Sequence, residues 1–505
     1  MQVKSTNYIP ESIKILIMKT IYILIITGCF ILAPVRAQNE MDALRYSQNF
    51  FGGTARSMAM GGAFGALGGD FSSASLNPAG IGVYRSNELT VSPGLIFDNT
   101  STGYLGNTRT DNRYQFTLNN LGYIFSHQTG KDNGWVGYSF GIGYNQLNNF
   151  NRNTLMEGIM LSGGSESSSY LDNFTNNANA DNWSEFFEEL AWLTNLMPYD
   201  TLNNEYWNDI REAGYGQSQL RRIQEKGSMG ETALTFGANY GNRLYFGATF
   251  GIHRMRYSNY TDHTEIDDAR IIDYFDSFTF RETLETRGTG YTFKAGFIFR
   301  PISLIRIGAA FHIPTFYRIR EDFYTDMSST FDENTGEPDY FERSPVNQNE
   351  YWLRTPYRAI GSVAFQVGKV AMIGVDYEFM DYRQANMDSR VSDYNLLDVN
   401  DRIQNVYSVA HNVRAGAEVH MGPMYLRAGA AFYDSPFNSR EVNAEAWNII
   451  YSGGFGFRSQ RIFFDMAYAY RTNDYRYYLY IPEDVHGAAI SSNKQNFIAT
   501  LGFRF

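Results

Sequence analysis

The last thirteen residues, Asn493 to Phe505, read NKQNFIATLGFRF. Phe497, Ala499, Leu501, Phe503 and Phe505 fall on one parity. Period-two alternation specifies a strand with one apolar face. A strand that stops on an aromatic, with no polar tail, suits the closing strand of an outer-membrane β-barrel. In a soluble protein the same strand would be an exposed apolar edge and an aggregation hazard.

Alternation continues upstream as far as Asn87 and yields about fourteen strands. They lie near Leu89–Phe97, Tyr114–Phe125, Trp135–Leu147, Thr232–Tyr240, Leu244–Tyr257, Phe278–Phe299 and Leu304–Tyr317. The rest are Leu353–Val367, Val370–Tyr382, Ile403–Met421, Met424–Tyr433, Trp447–Arg458, Ile462–Tyr475 and Phe497–Phe505. The connections fall into two alternating classes. One is short and rich in turn residues: 130–134, 241–243, 300–303, Gly368-Lys369, Gly422-Pro423 and Ser459-Gln460. The other is long and polar. Bacterial barrels have short periplasmic turns, long extracellular loops and an even strand number. The expected fold is therefore all-β, a transmembrane antiparallel barrel of about fourteen strands with both ends periplasmic.

Parity assigns faces. Val413, Ala415, Ala417 and Val419 oppose Arg414, Gly416, Glu418 and His420; Ile373, Val375 and Tyr377 oppose Asp376 and Glu378. Leu426 and Ala428 oppose Arg427. A charge on the lipid face costs roughly 2–4 kcal/mol at mid-bilayer, so the apolar sets face lipid. Arg414, Glu418, Arg427, Asp376 and Glu378 then form a mixed-sign network in the lumen that braces the wall.

The N-terminus adds an export signal. Lys19 precedes an apolar run, Ile21–Leu32, then Ala33-Pro34-Val35-Arg36-Ala37 with small or β-branched residues at −3 and −1. Residues 1–37 read as a cleaved signal peptide, with Met18 as the more natural start. A lipoprotein box around Cys29 is the rival; it would leave a greasy mature end. The only cysteine of the 505 residues is Cys29, so the exported chain has no disulfide framework and no CxxC chemistry. A net charge of −11 excludes nucleic acid as the natural partner. Aromatics make up 16%, which fits girdles at two membrane interfaces. The mean hydropathy of −0.36 fits a wall whose other face is wet.

Residues 38–86 differ from the barrel at 87–505. Their centre reads FFGGTARSMAMGGAFGALGGDFSSASLNPAGIGVY, from Phe50 to Tyr84, rich in Gly and Ala and without strand alternation. Phe64 and Phe71 are its bulky anchors, and Asn77-Pro78-Ala79-Gly80 is a tight-turn signal. Such a segment ahead of a barrel can fold inside it as a plug. It is not a phosphate loop, since GxxxxGK[ST] is missing.

This Gly/Ala stretch leading to Asn77-Pro78-Ala79-Gly80 resembles the hatch of the FadL/TodX family of outer-membrane transporters. Later stretches are similar too: Thr355-Pro356-Tyr357-Arg358, Gly374-Val375-Asp376-Tyr377-Glu378-Phe379, Val413-Arg414-Ala415-Gly416-Ala417-Glu418, Leu426-Arg427-Ala428-Gly429 and the final Phe505. The resemblance implies a hatch-plugged barrel of a Gram-negative outer membrane. It implies passive transport of long-chain fatty acids or other hydrophobic small molecules, with no cofactor and no metal. Ligand would be caught at extracellular loops, passed to a pocket against the hatch and released through a gap at a kinked third strand. On the third strand, Gly137, Gly141 and Gly143 mark a bend or packing room for the plug. Final-strand recognition by the barrel assembly machinery would use Phe505.

The longest connection, residues 148–229, contains DNWSEFFEELAWLTNLM from Asp181 to Met197. Trp183, Phe186, Phe187, Leu190 and Leu193 share a face at helical spacing, with Asp181 as N-cap and Pro198 as stop. They are the candidate capture surface for an acyl chain. No HExxH occurs, and the GxSxG at Gly137–Gly141 lies inside the third strand rather than at a strand-to-helix turn, so the chain is expected not to be an enzyme. The acidic run Asp262–Asp268 lacks EF-hand spacing and reads as solvated loop. The alternative function is a secretion-system barrel of the same fold that binds exported proteins. A general porin is disfavoured by the plug.

Overall fold

The computed structural model describes residues 39–161, 167–389, 396–480 and 486–505. The expected signal peptide, 1–37, lies outside the described residues. Fourteen strands cross the wall in the described chain: β1 Glu88–Tyr104, β2 Asn107–Gln128, β3 Trp135–Asn149, β4 Ser218–Tyr240, β5 Leu244–Ile266 and β6 Phe275–Phe299. β7 is Ile305–His312 continued by Phe316–Phe331, and β8 is Asn347–Arg354 continued by Arg358–Val367. β9 is Ala371–Asp381, β10 Val409–Met421, β11 Met424–Tyr433, β12 Asn448–Arg458, β13 Ile462–Tyr477 and β14 Ala488–Arg504. Every neighbour pair is antiparallel, and β1 pairs with β14 from Glu88↔Arg504 to Gly103↔Ala489, which closes the sheet into a barrel. Closure removes the apolar edge that the terminal strand would otherwise leave.

The six short turns sit where the sequence puts them. Gly422 (φ 61°) turns β10 into β11 across the Met421↔Met424 pair. Gly241 and Asn242 (φ 60° and 53°) turn β4 into β5. Glycine, and asparagine next best, tolerate this left-handed backbone.

Side chains alternate as parity requires. On β9, Val375 is 42% exposed and Asp376 1%. Leu234, Phe236, Phe250, Phe293, Leu426 and Leu501 all point outward as well, giving the wall an apolar outer band. A closed barrel with that band is built to stand in a bilayer, where every backbone group must be paired within the protein. No described helix is long and apolar enough to cross a membrane.

Several strands run further than the alternation suggests. The polar stretch 98–113 is not a loop: β1 and β2 stay paired up to Tyr104↔Asn107 around a two-residue turn. β5 and β6 likewise pair up to Ile266↔Ser277. Beyond the bilayer both faces of a strand meet water, so the pattern that reports a strand vanishes while the ladder continues. Ile403–Val406 is not strand; it ends a helix, Leu397–Val406, whose Val399 and Ile403 are buried at helical spacing. β7 and β8 both break beside a proline, at Pro314 and Pro356. Proline offers no ladder N–H. The two breaks are cross-pinned: the Thr315 N–H donates to Thr355 Oγ1 at 2.9 Å, and the Thr355 N–H to the Thr315 carbonyl at 3.0 Å.

Candidate functional site

The N-terminal segment packs against the inward faces of the wall. It begins with α1 (Glu40–Ser47), capped by a reciprocal Asn39/Asp42 box, and continues through α2 (Ala55–Ala59) to Tyr84. Nearly all of residues 53–83 are buried. Its backbone touches the strands where they carry glycine. A Cβ on Gly429 would lie 2.2 Å from the Gly61 nitrogen, and one on Gly247 2.2 Å from the Pro78 carbonyl carbon.

Polar contacts lock the segment to the wall. Asp376 accepts from the N–H groups of Phe64 and Gly65, both at 3.0 Å. Arg56 reaches Glu418 with Nε and Nη2 at 2.9 and 3.0 Å. Arg427 donates to the same carboxylate at 2.6 Å and to Asp465 at 2.6 Å. Arg414 stands 3.3 Å from Glu378 and 4.0 Å from Asp376. These side chains thus link neighbouring strands to one another and to the N-terminal segment. Asn77 donates to the Gly65 and Phe297 carbonyls at 2.6 and 3.2 Å and accepts from the Ala79 N–H at 3.1 Å. It ties the Pro78–Val83 turn to both plug and wall.

Phe71 fills a notch made by absent side chains. A Cβ on Gly122 would fall 2.4 Å from its ring, and one on Gly143 2.5 Å; Gly141 lies 3.5 Å away. β3 stays paired on both sides from Gly137 to Asn145. Gly141 and Gly143 therefore provide packing room, while Gly137 abuts the Gln128 side chain and borders a register shift against β4 between Trp135 and Gly137.

A second register shift lies higher. β2 and β3 part above Asn120↔Asn145, although β1 remains on β2 up to Asn107. β3 stays with β4, shifts register between Gln146 and Asn148, and continues as an arm, Arg152–Ile159, paired with Ser218–Glu225. A register shift of this kind bends a strand. The arm crosses β1, where the Thr102 hydroxyl donates to the Leu155 carbonyl and Gly158 lies on Leu105. The resulting seam between β2 and β3 is bridged by side chains. Thr117 donates to Gln146 at 2.9 Å, Asn149 to Gln115 at 2.8 Å and Arg113 to Asn153 at 3.0 Å. A cavity of about 60 Å³ lies behind it, lined by Phe50, Met58, Ile96, Asn119, Gln146 and Ile450 among others. It shares Phe50, Asn148, Asn149, Arg471 and Lys494 with a chamber of about 300 Å³ beneath α1 and the loop 434–447.

The long insertion forms a cap over the end of the barrel away from the short turns. A helix α3 (Tyr170–Asn179), boxed by Ser169 and Asp172, escaped the sequence reading. Ser169 Oγ, the Tyr170 N–H and Gln217 Nε2 all donate to Glu265 of β5, at 2.7, 2.8 and 3.0 Å. The expected helix over Asp181–Met197 is much shorter, α4 (Glu188–Leu193). Asp181 is no N-cap: it has φ 59° and follows α3. Glu188 instead accepts from the Ser184 N–H and Asn177, and Phe187 is not helical. Burial pushes the Glu188 carboxyl above its usual range. Phe187 and Leu190 are buried in the cap core and Phe186 packs against it, while Trp183 and Leu193 face outward. None of these five lines either lumenal cavity. Sequence reasoning also missed the seam residues and Arg471, Lys494 and Arg152. A lumenal cation looks alike in sequence whether it braces a wall or faces a cavity. Among the described residues no cluster of potential metal ligands occurs.

No protein-family model and no curated protein sequence matches the chain. Solved structures do. A FadL homologue of Pseudomonas aeruginosa aligns over 90% of this chain and 100% of its own, with TM-score 0.53 and 14% identity. The Pseudomonas putida toluene transporter TodX aligns over 90% and 99%, with TM-score 0.50 and 10% identity. The Ralstonia pickettii toluene transporter TbuX gives the same coverage and TM-score 0.50 at 14% identity. At such identities the likeness is one of fold. The chain has the FadL/TodX-type fold, a closed barrel of fourteen antiparallel strands.

Proposed function

We propose that this barrel is a passive outer-membrane transporter of hydrophobic small molecules, long-chain fatty acids among them. The observation that carries the reading is the seam. The ladder between β2 and β3 ends above Asn120 while both strands run on, and a cavity that shares five lining residues with the larger chamber lies directly behind it. A ligand held in the chamber has a side way into the bilayer that avoids the plug below. In this reading residues 38–86 are the hatch, residues 1–37 are removed on export, and Phe505 is read by the barrel assembly machinery. The structural neighbours named as toluene transporters support a hydrophobic cargo.

The exported chain has no cysteine, so the seam can be locked cleanly. Cysteines at Thr117 and Gln146, joined by a short reversible thiol crosslinker, should stop uptake of radiolabelled fatty acid by whole cells; reduction should restore it. Undiminished uptake through a crosslinked seam would overturn the lateral route. No uptake by the uncrosslinked protein of any hydrophobic compound would favour the secretion-type barrel instead.

A further inference from the structure

Charge is polarised along the barrel axis. The chain as a whole carries −11. Its short turns and the entry to β1 nonetheless hold Arg85, Lys131, Arg243, Arg300, Lys369 and Arg461 against one side-chain carboxylate, Asp132. Three of these cations gather at one place. The Arg300 N–H donates to the Arg243 carbonyl at 2.7 Å, and the Arg85 guanidinium donates to Asn242 at 3.5 Å. Arg85 and Arg243 are exposed, while Arg300 Nε is buried without a partner. The turns 241–243 and 300–303 contain no acid. Cations gathered without a counter-charge repel one another, and an arriving anion relieves that repulsion.

The strands that lead to these two turns carry an apolar hollow on their outer, lipid-facing side. About 560 Å³ lies open between Phe140, Ile142, Leu234, Phe236, Phe250 and Phe293, with Ala248 among the lining. Register accounts for the hollow. Ala248 of β5 lies directly opposite Ala295 of β6, and the outward pairs on either side of them are Phe250↔Phe293 and Phe246↔Phe297. All four rings stand exposed on the wall. Two alanines between two pairs of phenylalanines leave a dent that nothing in the chain fills. Ala248 and Ala295 each lie five residues from the turn arginine of their own strand, about 17 Å along it. At the usual barrel tilt this is about 13 Å of depth, close to half of a hydrocarbon core of about 30 Å. Ile302 and Leu304, beside Arg300, are 54% and 43% exposed. Cations and bare apolar side chains together belong at a membrane surface.

We propose that this outward groove holds one anionic phospholipid of the leaflet on the short-turn side, with its phosphate on Arg243 and Arg300 and one acyl chain laid over Ala248 and Ala295. Arg85 stands behind the two and adds its charge. Guanidinium groups take phosphate oxygens in paired N–H···O bonds, and basic groups above an apolar wall select anionic headgroups. The depth match lets one molecule reach both the arginines and the dent without leaving its leaflet. The site lies on the outside of the wall and does not draw on the transport reading.

The test is native mass spectrometry of the full exported chain, delipidated in detergent and offered equal amounts of dioleoyl phosphatidylglycerol and dioleoyl phosphatidylcholine. The first lipid bound should favour phosphatidylglycerol by about tenfold. Arg243→Gln with Arg300→Gln should bring the ratio close to one. Lys369→Gln with Arg461→Gln removes the same charge elsewhere on the rim and should leave the ratio unchanged. Ala248→Phe, which fills the dent, should weaken both lipids alike. Heat-modifiable gel mobility checks that each variant is folded. Arg243→Gln alone, at an exposed position, serves if the double variant does not fold, and should leave a preference of about threefold. Equal binding of the two lipids by the parent, or an equal loss in both double variants, overturns the headgroup site. Undiminished lipid binding by Ala248→Phe overturns the acyl groove. Displacement of phosphatidylglycerol by inorganic phosphate at equal concentration shows a free-anion site and overturns the lipid. Parent dimers that disappear in Ala248→Phe would put a second copy in the hollow, and that too overturns the lipid.

Discussion

Arg56 of the plug and Glu418 of β10 are joined by two hydrogen bonds, 2.9 and 3.0 Å long, across 362 residues of sequence. The pair is buried on both sides. Breaking a buried pair by removing one partner costs about 3–5 kcal/mol, because the other charge stays behind. Here Arg427 and His420 remain on Glu418 and soften the loss. Arg56→Gln should loosen the plug by about 2 kcal/mol while leaving the barrel closed. Planar-bilayer recordings would then show transient openings missing from the parent. A silent trace would mean that the pair braces the wall and does not hold the plug.

The notch around Phe71 lends itself to a double-mutant cycle. The first atoms a Cβ on Gly122 meets all belong to the Phe71 ring. Gly122→Ala should therefore destabilise, Phe71→Ala should cost about 3 kcal/mol, and the double variant should be better than their sum by about 1–3 kcal/mol. Additive losses in denaturant titrations would show that the glycine serves some other contact.

The cap should detach from the barrel as a unit. Glu265 gathers three donors from residues 167–217, and leaving each unsatisfied costs roughly 1–3 kcal/mol. Glu265→Ala should expose residues 167–217 to limited proteolysis while heat-modifiable mobility stays intact. Loss of mobility as well would make the cap part of the barrel's folding unit.

Cap stability should also depend on pH through Asp209. Burial first, then Asp273 and Glu212, raise its carboxyl to about 6. The unfolded loop gives up the proton near the ordinary value of 3.8. The folded cap therefore loses stability as pH rises from about 4 through 6 and stays weaker above it. Asp209→Asn should protect the cap from protease at pH 7.5 by about 1 kcal/mol, discounted for partial exposure, and do nothing at pH 4. Equal protection at both pH values would remove the charge from the explanation.

Phe505 closes the sheet through the Asn87 backbone, at 3.1 and 3.2 Å, and its ring faces outward near Tyr123. Phe505→Ala keeps both backbone bonds. It should nonetheless lower the amount assembled in the outer membrane several-fold, measured by surface labelling. Normal assembly would show that the ring is not read.

Sequence legibility followed the solvent. Where the wall crosses lipid, one face must be apolar, so Val375 beside Asp376 and Leu426 beside Arg427 announce both strand and face. Above the lipid that requirement ends, and the continuations of β1, β2, β5 and β6 became visible only in the ladder. The NPAG turn was legible because proline and glycine restrict backbone directly, although what Asn77 holds was not. The cap misled the reading. Phe187 and Leu190 have helical spacing, but they are buried by contacts from distant strands, and those contacts, not local periodicity, set where the short helix begins. The seam was invisible, because a strand's leaving its neighbour depends on register, and register has no one-dimensional signature at Gln146.

The plug's anchors carry a consequence for assembly order. The Ala55 N–H donates to the Thr500 hydroxyl, 445 residues later, and Gly61 lies on Ala430. The first part of the exported chain thus completes its contacts only once the last strands exist. Contacts this distant in sequence close slowly. Until then the Gly/Ala stretch is an unsatisfied, sticky thread, and the wall must be laid down around it. A chain truncated before β14 would leave the Ala55–Thr500 contact unmade and the early segment without its last anchor.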